Sequence, residues 1–279
     1  MHTLQAVITA TVQGLSEFLP ISSSAHIVFS NELYHLITKT AQTVSQEEEI
    51  FFDIIVHLGT LFAVLIYFFK DIKSILVNSF VALKNKDYSN NELKILGYII
   101  IATIITGAMG LILKHPTEFL VSNPKFICFL LLITGILLLF SEKLYKGDKN
   151  LSFKACIFIA IAQGLAIFPG FSRSGFTIST ALICGMERYE AARFSFLMSI
   201  PIIILASIGY PIMEIDFSQI STFNLKAIAV GFVVSFIVGY LCIKYFMKLL
   251  KKLTLRSFGY YCCLIAVVMF LLFQFVYHQ

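Results

Sequence analysis

The stretch Pro169-Gly170-Phe171-Ser172-Arg173-Ser174-Gly175-Phe176-Thr177 places an arginine, three hydroxyls and three helix-breaking residues inside an apolar run from Ala155 to Cys184. A guanidinium is costly in hydrocarbon, so it is retained only where it faces a wet cavity or a charged partner. Hydroxyls, backbone N–H groups freed by proline and glycine, and a guanidinium fork together make a receptor for phosphate oxygens. The competing reading is a surface turn between two helices, with Arg173 among the headgroups.

An upstream echo weighs against that turn. Gln13-Gly14-Leu15-Ser16-Glu17-Phe18-Leu19-Pro20-Ile21-Ser22-Ser23-Ser24 aligns with residues 163–174 at an offset of 150. Ala10, Gln13, Gly14, Leu15, Ser22 and Ser24 match Ala160, Gln163, Gly164, Leu165, Ser172 and Ser174, and the prolines fall one residue apart. Two corresponding interrupted apolar segments point to a site at the interface of a structural repeat.

The first segment adds acid and base. Glu17 follows Gln13 by four residues and shares its helical face; its tasks include holding a divalent cation, orienting a histidine or water, or accepting a proton. His26 follows Ser23 by three, a spacing that allows a Ser–His contact and makes His26 a base, acid or nucleophile. Asp53 and His57 share a face further on and read as interface and bundle polars, with a supporting role at the site as the alternative. Arg173, with Ser172, Ser174 and Thr177, is the phosphate receptor.

These groups must be positioned by membrane helices. The chain has 279 residues, is 58% hydrophobic and 13% charged, and its mean hydropathy is +0.86; this predicts an all-α polytopic membrane protein. The net charge of +5 sits in short loops, which explains it by membrane orientation and argues against nucleic acid. Six cysteines without metal-ligand spacing read as small buried hydrophobes.

Residues 6–19 form a helix of about 21 Å, too short for a crossing of about 30 Å. Pro20 and the serines turn the chain, and Ala25 to Leu36 return it as a re-entrant hairpin. Its first segment lacks an early basic residue, so it is expected to remain in the mature protein. The loop to Glu49, with Glu32, Glu47, Glu48 and Glu49, reads as a solvated outer face. Six spans follow, at 51–69, 95–113, 124–140, 193–213, 225–247 and 257–277, with an amphipathic stretch from Ile72 to Leu83 and a second hairpin at 155–183.

Sixteen of the 21 Lys and Arg lie in segments 70–94, 142–154, 184–193 and 244–256, which should be cytoplasmic. The first hairpin then enters from outside and the second from the cytoplasm. A single membrane domain, 1–279, is expected to hold an inverted-topology repeat, about 1–141 and 155–279. The opposed tips would bring Glu17, Ser22, Ser23, Ser24 and His26 to Ser172, Arg173, Ser174 and Thr177 near the midplane.

At these residues the chain resembles the undecaprenyl-diphosphate phosphatases, a family known also for bacitracin resistance. PGFSRSGFT (169–177) resembles the family's Pro-Gly-x-Ser-Arg-Ser-Gly-x-Thr signature. QGLSEFLPISSSAH (13–26) is similar to its Glu/Gln-x-x-x-Glu and Leu-Pro-x-Ser-Ser-Thr-Gly-His motifs, and Phe52-Asp53 through Leu58-Gly59 to its Phe-acid…Leu-Gly element. Gln13 stands where many members have glutamate, leaving Glu17 as the one carboxylate. Ser24 replaces threonine and keeps the hydroxyl. Ala25 replaces glycine, so the turn before His26 should not require positive φ.

The resemblance implies hydrolysis of undecaprenyl diphosphate to undecaprenyl phosphate, recycling the carrier lipid for peptidoglycan. It implies a multi-pass protein of the bacterial plasma membrane with a site opening outward, and a magnesium or calcium ion, for which Glu17 is the candidate ligand. Glu17, Ser23, His26 and Arg173 are the expected catalytic residues. Gln13, Ser22, Ser24, Gly170, Ser172, Ser174, Gly175 and Thr177 are the expected substrate-binding set. The expected partners are the membrane and the polyisoprenyl diphosphate lipid, with a homodimer as one assembly such a chain could form. The rival function is a transporter or flippase of an anionic isoprenoid lipid, since opposed broken helices also serve transport. The Lys-x6-Arg-Pro, Pro-Ser-Gly-His and Ser-Arg-x5-His elements of histidine-nucleophile lipid phosphatases are missing.

Overall fold

A computed structural model describes residues 2–38, 45–121, 123–214 and 223–276. Part of the loop expected as an outer face (39–44), the end of the fourth-span connection (215–222) and position 277 of the last expected span lie outside those residues. Among the described residues there are eleven α-helices and no strand. They are α1 (Thr3–Ser16), α2 (Ser23–Thr38), α3 (Gln46–Tyr67), α4 (Phe69–Lys84), α5 (Asn91–Val121), α6 (Pro124–Leu144), α7 (Phe153–Leu165), α8 (Arg173–Ile183), α9 (Arg188–Glu214), α10 (Leu225–Leu250) and α11 (Arg256–Val276). Six of them, α3, α5, α6, α9, α10 and α11, are long and apolar enough to cross a membrane.

Helices α1 and α2 pack against each other, as do α7 and α8, so each short pair forms a helical hairpin. Helix α1 stops at Ser16 rather than at residue 19. Proline lacks an N–H and disfavours helical backbone in the residue before it, so Leu19-Pro20 cannot continue the helix. The turn at 17–22 therefore carries Glu17 at the helix end, its N–H bonded to Gln13 O at 2.9 Å. Positive φ is present in this turn after all, at Ser22 (71°); Ala25 lies inside α2 and is fully buried.

The acids Glu47, Glu48 and Glu49 are also not a solvated loop. They form the first turn of α3, where Ser45 caps by accepting from Glu48 N. Carboxylates favour the positive end of a helix. Glu48 is buried and its Oε1 accepts from Asn224 N at 3.0 Å.

Each hairpin lies against a spanning helix from the far half of the chain, α1 on α10 and α7 on α5, while α3 packs on α10 and α6 on α11. Lipid gives helices no hydrophobic reason to associate, so such seams rely on close van der Waals fit. At α6–α11 a Cβ on Gly135 would come within 2.6 Å of Cys263 Sγ and 2.8 Å of Gly259 O. The backbones meet there because neither residue has a side chain.

The first tip is held by aromatic edges. Phe18, next to Glu17, sets its ring 5.6 Å from Phe196 of α9, which contacts Phe246 of α10 at 6.2 Å. All three are essentially buried. Helix α4 buries Ile75, Ser79 and Ala82 and leaves Phe69, Leu76 and Phe80 exposed, an amphipathic face tied to α9 by Asp71–Arg193 at 2.7 Å.

Candidate active site

Helices α2 and α8 begin in the same way at the two tips. Ser22 Oγ accepts from Ala25 N at 3.4 Å, and Ser172 Oγ accepts from Gly175 N at 3.0 Å. The first helical residues are therefore Ser23 and Arg173, and both reach one carboxylate. Ser23 Oγ donates to Glu17 Oε2 at 3.0 Å, and Arg173 Nη2 pairs with Glu17 Oε1 at 2.5 Å. Gln13 Nε2 donates to Oε2 at 3.0 Å, the contact its spacing predicts.

Glu17 is only 8% exposed. A buried carboxylate is tolerated when paired and hydrogen-bonded, and here it also receives the positive ends of two helices. Not every valence is filled. Arg173 Nη1 and Gln13 Oε1 are buried and have no hydrogen-bond partner. A guanidinium that spends one nitrogen on its counter-ion and holds the other free is a ready donor to an anionic oxygen.

The remaining tip hydroxyls join the hairpins to one another. Ser24 Oγ accepts from Gly170 N at 3.3 Å, Ser174 Oγ donates to Leu19 O at 3.0 Å, and Ser22 Oγ donates to Phe171 O at 3.5 Å. Ser172 Oγ lies 3.3 Å from Ser174 Oγ. Ser22, Ser172 and Ser174 are buried; they form the layer behind Arg173 and Glu17. Gly175, whose N–H is capped, belongs to the same layer.

Gly170 turns this layer with φ of 104°, and a Cβ there would meet Ile127 O at 2.6 Å and Leu130 Cβ at 2.8 Å. Gly170→Ala combines a left-handed strain with a clash against the α6 backbone, an expected loss of about 2–4 kcal/mol. Thermal unfolding in detergent should register it as a clearly lowered midpoint. An unchanged midpoint would mean that the tip does not need this turn.

Two expected site residues point elsewhere. Thr177 Oγ1 donates back to Arg173 O at 2.8 Å and contacts Ser195 Oγ of α9 at 2.6 Å, a habit of threonine hydroxyls within helices. It is fully buried, and its hydroxyl is engaged by those partners. The Ser23–His26 contact is not formed either. Ser23, at the first position of α2, turns back to Glu17, while His26 bonds Ser22 O at 2.8 Å and Tyr261 of α11 at 2.9 Å.

His57 is the residue the sequence undervalued. It lies halfway along α3, with Nε2 3.9 Å from Glu17 Oε2 and its side chain 39% exposed. Its spacing from Asp53 was a signal, but nothing in the sequence tied α3 to the first tip.

The donors around Glu17 bear on the expected cation. No three His, Cys, Asp or Glu side chains converge among the described residues. Both carboxylate oxygens are already engaged by a guanidinium, an amide and a hydroxyl. With Glu17 held by these donors and no second carboxylate converging on it, the residues present do not fit a protein-held magnesium or calcium ion, and no step is derived through one.

Six spanning helices and two helical hairpins whose tips share a buried Arg–Glu pair define a polytopic membrane protein with an ion pair at its centre. The chain belongs to the bacitracin resistance protein BacA family, whose sequence model it matches over residues 6–268. It is 36% identical to the "Undecaprenyl-diphosphatase" of Methanobrevibacter smithii, covering 97% of this chain and 98% of that one. It is 38% identical to the protein of the same name from Methanosphaera stadtmanae, covering 98% of both chains. A third, from Saccharophagus degradans, is 39% identical over 99% of this chain and 100% of its own.

Proposed function

We propose that the protein hydrolyses undecaprenyl diphosphate to undecaprenyl phosphate and inorganic phosphate, recycling the carrier lipid for cell-wall synthesis and giving bacitracin resistance. The observation that carries this reading is the buried, unpartnered Nη1 of Arg173 beside Glu17 at the meeting of two helix N-termini. Arg173 binds the terminal phosphate and neutralises charge as it develops in the transition state. Glu17 fixes the guanidinium, and Ser23 and Gln13 fix Glu17. The serine layer keeps the tips in register, so its hydroxyls act on substrate through Arg173.

The hairpins are read as re-entrant, meeting at mid-membrane. The reciprocal packing of α1 on α10 and α7 on α5, together with the paired serine caps 150 residues apart, supports an inverted repeat of about 1–141 and 155–279 within one domain. The lysine and arginine distribution supports the orientation of the bundle, with the basic loops in the cytoplasm; a bacterial plasma membrane and a site opening outward follow from the family resemblance. The polyisoprenyl tail leaves the site sideways between helices into lipid. A divalent cation, where activity needs one, is read as arriving with the diphosphate oxygens.

The test is phosphate release from a long-chain isoprenyl diphosphate by detergent-purified protein, with magnesium, calcium or chelator. Release without any gradient is expected and is what a carrier would not give. Well-folded protein that releases nothing in every condition would overturn the reading.

A further inference from the structure

Two histidines stand near the tips, and both are anchored by Nδ1 to the carbonyl four residues earlier. His26 Nδ1 lies 2.8 Å from Ser22 O, and His57 Nδ1 lies 2.7 Å from Asp53 O. A carbonyl oxygen only accepts, so Nδ1 carries the hydrogen in each neutral ring and Nε2 presents a lone pair. The lone pair of His26 is taken by the Tyr261 hydroxyl at 2.9 Å, with the two rings stacked.

That of His57 has no hydrogen-bond donor among the described residues. It faces a carboxylate oxygen, Glu17 Oε2, across 3.9 Å. Nε2 lacks a donor, while Oε2 already accepts from Gln13 Nε2 and Ser23 Oγ, so a water between the two gives one hydrogen fully to Nε2 and shares Oε2 with those donors. One water giving a hydrogen to each at about 2.8 Å spans acceptors roughly 4.4 Å apart, within about half an ångström of this gap. Its oxygen lone pairs then face away from both acceptors, and the other oxygen of the same carboxylate holds Arg173.

Resting on the phosphatase reading above, we propose that His57 is the general base of the reaction, holding the attacking water between Nε2 and Glu17 Oε2. The water O–H bond breaks and its proton passes to Nε2. The water oxygen bonds to the terminal phosphorus as the bond from that phosphorus to the bridging oxygen breaks. The electron pair of that bond leaves on the lipid monophosphate, and Nε2 returns its proton to solvent.

The experiment compares wild type, His57→Asn, His57→Ala and Arg173→Ala as purified proteins on a long-chain isoprenyl diphosphate. Asparagine keeps a donor for Asp53 O and so preserves the fold while removing the base. The expected result is a fall in kcat of about 10²–10⁴-fold in both His57 variants with KM within about threefold. Added imidazole should restore part of the rate to His57→Ala and none to Arg173→Ala. An active His57→Asn beside an inactive Arg173→Ala would overturn the base and leave the phosphatase reading intact. Phosphohistidine trapped at His57 by rapid quench would also overturn it, because the ring itself would then be the nucleophile. A wild type that releases no phosphate would remove the underlying reading and this inference together.

Discussion

Arg173→Ala is expected to lower phosphate release by about 10³–10⁵-fold, the range for removing an arginine that stabilises a transferring phosphoryl group. The loss has two parts that can be separated. Arg173 supplies the free Nη1, and it also compensates Glu17, which is 8% exposed. Removing one partner of a buried pair leaves a naked charge and costs about 3–5 kcal/mol of stability. Arg173→Ala alone therefore damages both fold and chemistry.

The double variant Arg173→Ala, Glu17→Gln removes the uncompensated charge and should recover most of the thermal midpoint, while phosphate release stays at background. Arg173→Lys keeps the charge but cannot hold Glu17 and a phosphate oxygen at once, since an ammonium lacks the planar fork. It should be folded and slower by about 10²-fold. Initial rates paired with unfolding midpoints in the same detergent check all three. A double variant with near-normal turnover would show that the guanidinium is only a structural counter-ion.

The meeting of the tips was legible in the sequence because it follows from two coarse signals, an interrupted apolar segment repeated at 150 residues and the distribution of lysine and arginine. The Gln13–Glu17 contact was legible for a local reason, a four-residue spacing on one helix. What the hydroxyls do was not legible. Ser22, Ser24, Ser172 and Ser174 look like phosphate donors in the motif, yet Ser22, Ser24 and Ser174 join one hairpin to the other at separations of 146 to 155 residues, and Ser172 caps its own helix α8. Thr177 has two choices, the carbonyl of Arg173 or a substrate oxygen, and helix geometry favours the carbonyl. His57 could not be ranked above His26 by spacing, because its value depends on α3 passing beside Glu17, a tertiary fact. Helix boundaries near proline and at the acidic start of α3 moved by a few residues for reasons already present in the sequence, namely the residue before Pro20 and the Ser45–Glu48 cap.

A second pair, equally hidden from sequence, should govern stability without touching the chemistry. Glu142 near the end of α6 receives Arg188 of α9 through two bonds, Nε to Oε1 at 2.9 Å and Nη2 to Oε2 at 2.5 Å. Glu142 Oε1 also accepts Leu255 N at 2.8 Å, just before α11 begins, and Arg188 lies over the Tyr145 ring at 3.7 Å. One carboxylate thus ties three spanning helices at the face assigned to the cytoplasm, and its side chain is 1% exposed. Glu142→Ala leaves a guanidinium and a backbone N–H without their acceptor. The expected cost is about 3 kcal/mol, at the low end for breaking a buried pair because Arg188 keeps 19% exposure and its aromatic contact. Arg188→Lys, which gives up the bidentate geometry but keeps a charge near Glu142, should cost less. Both variants should turn over normally well below their midpoints, since the pair lies at the ends of α6 and α9 rather than at the tips. Thermal unfolding followed by size-exclusion recovery separates the two effects. A Glu142→Ala protein with an unshifted midpoint would show that the three helix ends are held by packing alone, and one that is stable but inactive would mean that this end of the bundle communicates with the tips.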